Sequence, residues 1–134
     1  MNGRPVADDE VFQLEIRVID VVPECWRRVQ VLASITLGGL HEVIQMVMGW
    51  RDDHLHLFAL GDDRSDGSRL AVGADEAVVT VADVFTVGVP VRYLYDVGDA
   101  WCHEITLVRV LRRDPAIRYP VRVAGRGEAP DDGQ

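Results

Sequence analysis

The chain has 134 residues, 48% of them apolar and 27% charged, with a formal net charge of −8. That length suits a single domain, residues 1–134, whose core can stand without disulfide or metal staples. No apolar run approaches the roughly 20 residues of a membrane span, and the amino terminus lacks the basic-then-apolar order of a secretory signal, so a cytoplasmic protein with no membrane partner is expected.

Cys25 and Cys102 are too few for a disulfide framework and read as reduced thiols. All fourteen basic residues are Arg, and six of them (Arg109, Arg112, Arg113, Arg118, Arg122, Arg126) fall between 107 and 126 against Asp114 alone. A net-acidic chain repels a phosphate backbone at long range, which argues against nucleic acid as a partner. Solvated strand edges and loops account for these arginines. If nucleic acid were bound, Arg109, Arg112, Arg113, Arg118 and Arg122 would be its contacts.

Phe12 to Ile19 alternates apolar and polar residues and is rich in β-branched types, as a half-buried strand requires. A second extended run, Arg27 to Leu32, follows a connection holding Pro23, Glu24, Cys25 and Trp26, which predicts a hairpin. Ser34 or Thr36 can cap the next element. Leu37, Leu40, Ile44, Val47 and Met48 recur at helical spacing and predict an amphipathic helix over about 36–49, ended by Gly49 in the left-handed conformation. His41 and Glu42 read as part of its solvated face.

His54 to Leu60 reads as a strand with His54, His56, Phe58 and Leu60 on one face. Residues 61–76 are polar and turn-rich, and Asp62, Asp63 and Asp66 lack the alternation and terminal Glu of a calcium loop. A second short helix is predicted near 80–86, with a strand as the competing reading. Val91 to Tyr95 and Trp101 to Leu111 predict a second hairpin around Asp96-Val-Gly-Asp-Ala. A short extended piece, Ile117 to Val123, precedes a tail from Gly125 that reads as frayed, as do residues 1–10.

The sharpest chemical reading is a divalent-metal or polar-ligand site built from His54, His56, Asp96, Asp99 and His103, with Trp50 and Trp101 beside it. Each residue also has a plainer use. Asp96 and Asp99 can accept turn N–H groups, the histidines can satisfy neighbours on a half-buried face, and Trp26, Trp50 and Trp101 can cover the rim of one sheet. Cys102 and His103, adjacent on a strand, point to opposite faces, which argues against a Cys-His nucleophile. No complete catalytic constellation and no cofactor is predicted.

Several motifs stand in a recognisable order: Cys25-Trp-Arg-Arg-Val29, Thr36-Leu-Gly-Gly-Leu-His-Glu-Val-Ile-Gln45 running to Met48-Gly-Trp50, His54-Leu-His56, Tyr95-Asp-Val-Gly-Asp-Ala-Trp101, and His103-Glu104. From about Phe12 onward the chain resembles the plasmid pRiA4b ORF-3-like family, whose members are also described as passenger proteins of insertion elements. The resemblance implies an α+β domain: one main helix on a mixed, barrel-like or strongly bent β-sheet of about five to six strands. It implies no established activity. Glu24 and Cys25 stand where a Pro and an aliphatic residue would be expected, and Arg122 stands where many relatives carry Cys. The chain stops at Asp132-Gly-Gln134, inside what resembles the family's Pro-Pro-Glu-Asp segment, so a function residing beyond that point would be missing.

The residues thus leave three classes: a small binding or interaction module for an unknown protein or small ligand, a metal-dependent enzyme, and an accessory nucleic-acid binder. The binding module is the expected one. Oligomeric state is not legible.

Overall fold

The structure, a computed structural model, describes residues 9–51, 55–60, 69–71, 74–95 and 101–130. Seven strands form one open sheet in the order β4-β3-β5-β6-β1-β2-β7, every neighbouring pair antiparallel. These are β1 (Glu10–Val18), β2 (Trp26–Leu32), β3 (His56–Leu60), β4 (Arg69–Ala71), β5 (Val91–Tyr95), β6 (Trp101–Arg112) and β7 (Val121–Arg126). Three helices, α1 (Leu37–Met48), α2 (Ala74–Val78) and α3 (Val81–Val84), complete an α+β domain. Among the described residues, no helix is long and apolar enough to cross a membrane.

The β1–β2 hairpin forms where alternation predicts it, and the pattern has a physical reading. Leu14, Ile16 and Val18 of β1 and Val29 and Val31 of β2 enter the core, while Gln13, Glu15, Arg28 and Gln30 line the other face. There Glu15 takes Arg28 Nη2 at 2.7 Å and Arg17 Nη2 at 3.3 Å, and Gln30 Nε2 donates to Gln13 Oε1 at 2.9 Å. The hydrogen bond from Arg28 leads the causes that hold the Glu15 carboxyl below its ordinary range.

Thr36 caps α1, its hydroxyl accepting from Gly39 N at 3.1 Å, and Gly49 ends it at φ 74 with bonds back to the last turn. Leu37, Leu40, Val43, Ile44 and Met48 press α1 onto the core. At the helix's far end the buried Arg27 of β2 donates from Nε to Val47 O at 3.0 Å and from Nη1 to Arg126 O at 3.1 Å. One guanidinium thereby joins β2, the last turn of α1 and β7, at the helix end where a cation is favoured.

Two regions differ from the sequence reading. In and just past the segment 61–76, read as a turn-rich loop, residues 69–71 form β4 against β3 and residues 74–78 form α2. Leu37 N then donates to Val79 O at 2.8 Å and Val81 N to Ile35 O at 2.8 Å, so tertiary contacts to the α1 entry support a helix too short to show in periodicity. Gly125, read as the start of a frayed tail, belongs to β7, which gains order from pairing with β2. The short helix near 80–86 is α3, held by a reciprocal Thr80–Asp83 capping box.

Two glycines at positive φ should respond differently to alanine. At Gly49 a Cβ meets nothing within 4 Å, so G49A carries only left-handed strain, about 1 kcal/mol. At Gly127, φ 84, the same Cβ would collide with Glu24 O, so G127A should cost more than G49A in urea unfolding. A carboxylate whose folded pKa is depressed stabilises above its unfolded value, and that contribution is lost as pH falls through the folded one. The E15Q variant should therefore show a shallower loss of stability on acidification than the parent chain.

Candidate functional site

Where α1 crosses β3 and β5, the apolar core gives way to a polar cluster drawn from four elements. Tyr93 of β5 is fully buried, and its hydroxyl meets His41 Nδ1 at 2.7 Å and Gln45 Nε2 at 3.0 Å, both from α1. In the pairing that uses every group, Gln45 donates to the phenol oxygen and the phenol proton goes to His41 Nδ1. The His41 ring lies flat on that of His56 in β3, with centroids 3.6 Å apart and planes 11° from parallel. His56 Nε2 donates in turn to Glu76 Oε1 of α2 at 2.9 Å. A carboxylate that takes Nε2–H holds His56 in one tautomer, leaving Nδ1 with its lone pair when the ring is neutral.

His41, Gln45 and Glu76 are all more than nine-tenths buried, and Glu76 Oε2 has no hydrogen-bond partner among the described residues. Beside this cluster opens a cavity of about 450 Å3, lined by Thr36, Gly38, Gly39, His41, Glu42, Glu76 and Ala77. Its floor is the first turn of α1. Gly38 is small because α2 comes close: a Cβ there would stand 3.3 Å from Glu76 O. At Gly39 a Cβ would make ordinary contacts of 3.6 Å, so packing does not demand glycine, and its presence leaves the backbone bare towards the cavity.

A row of aromatic rings continues across the same sheet face. Trp50, just past α1, stacks on Tyr95 at 4.7 Å, meets His103 edge-on at 5.2 Å, and donates from Nε1 to Pro130 O at 2.7 Å. His103 is fully buried, and its Nδ1 donates to Tyr93 O at 3.1 Å. Phe58 closes on Tyr93 at 5.0 Å.

Of the sequence-predicted site, His56, His103 and Trp50 have described side chains. His54, Asp96 and Asp99 lie outside the described residues, and only the backbone of Trp101 is within them. His56 and His103 do share a sheet face, but Tyr93 stands between them, 5.9 Å from the first and 5.2 Å from the second. Their convergence is on a tyrosine ring rather than on each other. Among the described residues, no group of three or more His, Cys, Asp or Glu side chains is arranged to hold a metal ion. Cys102 is half-buried and His103 fully buried, as adjacent strand residues facing opposite ways should be, and burial leads the causes that push the Cys102 thiol up. Arg109, Arg112, Arg113, Arg118 and Arg122 are all exposed, spread over the end of β6, the following loop and β7.

His41, Gln45, Glu76 and Tyr93 were not among the predicted site residues, and His41 was placed on the solvated face of the helix. The structure corrects this, and a signal for it was present. At about 100° per residue, His41 falls roughly 40° from Leu37, inside the apolar stripe, with Gln45 one turn further on the same row. Glu42 is exposed, as expected. Glu76 could not be found this way, because only the fold carries α2 to the start of α1.

Replacing Tyr93 with Phe keeps the ring and strips two buried partners of a shared hydroxyl, which should cost about 2 kcal/mol. In a double-mutant cycle with Gln45→Leu the two losses should fall clearly short of additive, read from urea midpoints.

Comparison with known proteins gives the chain its relatives. The sequence profile for plasmid pRiA4b ORF-3-like protein matches residues 10–133. An uncharacterized protein of Sinorhizobium fredii is 32% identical over 132 residues, covering 91% of this chain. The chain spans only 65% of that relative's length. The crystal structure of a protein of unknown function from Methanosarcina mazei Go1 superposes with a TM-score of 0.82 at 31% identity, covering 93% of this chain and 74% of the other.

Proposed function

This chain belongs to the plasmid pRiA4b ORF-3-like family, and we propose that it is a binding module that holds a small polar ligand in the cleft over the first turn of α1. The observation that carries this reading is that His41 and Glu76, tied together through His56, both line a cavity of about 450 Å3. Pockets that take small molecules commonly have that size and a few convergent polar groups.

The parts divide the work. Glu76 orients His56, and His56 stacks on His41, holding in place the imidazole that lines the cleft. Gly38 and Gly39 leave the first turn of α1 without side chains, and the Gly39 N–H and the Thr36 hydroxyl are already committed to each other. The ligand is thus met by fixed hydrogen-bonding groups that pay little ordering entropy on binding. The free thiols of Cys25 and Cys102 support the cytoplasm as the working compartment.

Amide-detected NMR titration with a library of small amines, carboxylates, amides and sugars tests the reading. Saturable shifts should cluster at Gly38, Gly39, His41, Glu76 and Ala77, and the E76Q variant should weaken them. Shifts centred elsewhere, or none across the library, would end the proposal.

A further inference from the structure

Strand β6 is longer than the strand beside it. β5 pairs with residues 101–105 only, ending at Val91–Ile105, whereas β1 accompanies β6 as far as Arg112. Beyond Ile105 the β5 side of β6 receives one backbone bond among the described residues, Gly88 N to Leu107 O at 3.1 Å. Arg113 N donates to Asp9 O at 2.6 Å, so residue 113 faces β1, and strand alternation turns the N–H and C=O of Val110 and Arg112 the other way. Among the described residues, no backbone group pairs with these four.

Alongside lies a groove of about 380 Å3 whose apolar lining includes Phe12, Phe85, Leu107 and Val110. Val110 is 45% exposed although it lies opposite the buried Phe12. An unpaired strand edge beside a groove that is apolar in part is the combination that takes an added strand, with main-chain bonds giving affinity and alternate side chains giving choice.

We propose that this edge docks an extended peptide from a partner protein as an added antiparallel strand, with an acidic residue opposite Arg112 and an apolar residue opposite Val110. The pattern is acid-x-apolar. Strand β1 shows that chemistry on the other side of β6, where Glu10 stands opposite Arg112 and Phe12 opposite Val110. Charge places the acid over Arg112, which is exposed and forms no ion pair among the described residues, rather than over the groove floor, which Glu10 and Asp83 also line. A second copy of the chain is the poorer occupant, because pairing β6 with itself crowds the arginines of both protomers along one seam. The site is separate from the cleft over α1, so either can fail without the other.

Fluorescence anisotropy with a fluorescein-labelled peptide of the sequence of residues 9–15 tests the proposal on the full chain. Saturable binding is expected, weakened roughly fivefold by Arg112→Glu. Val110→Pro should weaken it about tenfold or more, since it removes an outward N–H while sparing the β1 ladder, with folding checked by circular dichroism. Binding unchanged in both variants would mean the peptide displaces β1 or docks elsewhere, and would overturn the proposal. So would no binding at all, or a concentration-dependent dimer in sedimentation that Val110→Pro abolishes.

Discussion

A buried phenol hydroxyl must find partners, and the Tyr93 hydroxyl finds them on the helix that crosses it. Leaving such a group unpaired costs more than a typical hydrogen bond contributes, so the constraint acts as a lock on geometry. Apolar packing by Leu37, Leu40 and Ile44 brings α1 onto the sheet but tolerates small rotations. His41 and Gln45 do not, because turning α1 about its axis would pull both away from Tyr93. With that rotation fixed, His41 lies flat on His56, His56 reaches Glu76, and the cleft has its wall.

The same sheet solves different problems at different places. Near β5 it is covered by α1 and carries aromatic and imidazole side chains, the Tyr93 hydroxyl met by His41 and Gln45 and His103 Nδ1 by Tyr93 O. At the far end of β6 the cover stops, Val110 emerges into solvent, and the backbone itself becomes the available chemistry. The irregularity between Gln13 and Leu14 marks the passage, where one extra residue on β6, Val108, shifts the pairing with β1. The shallow polar cleft over α1 and the open edge of β6 share no lining residue, so what occupies one leaves the other's atoms untouched.

The hairpins, the helix with its cap and its glycine stop, and the α+β class are legible because each rests on local periodicity or on turn and cap residues. The α2 helix was not, since five residues carry too little periodicity to compete with the polar turn signal around them. The predicted histidine and aspartate site joins a strand to an acidic turn some forty residues away, and His54, Asp96 and Asp99 lie outside the described residues. Tyr93 fills the space between His56 and His103, which spacing along a strand cannot reveal. His41 was misplaced for a simpler reason, in that a histidine was weighed by its polarity rather than by its angle on the helix.

By itself the sequence determined the alternation that makes the strands, the stripe that makes α1, the free thiols and the order of motifs that marks the family. Those features depend on residues within a few positions of one another. Tertiary structure alone decided that α2 delivers Glu76 to His56, that the Tyr93 hydroxyl ties α1 to the sheet, and that β6 outruns β5 to leave an open edge. Each of these joins residues distant along the chain, and which partners a polar group finds is set by how the packed layers meet.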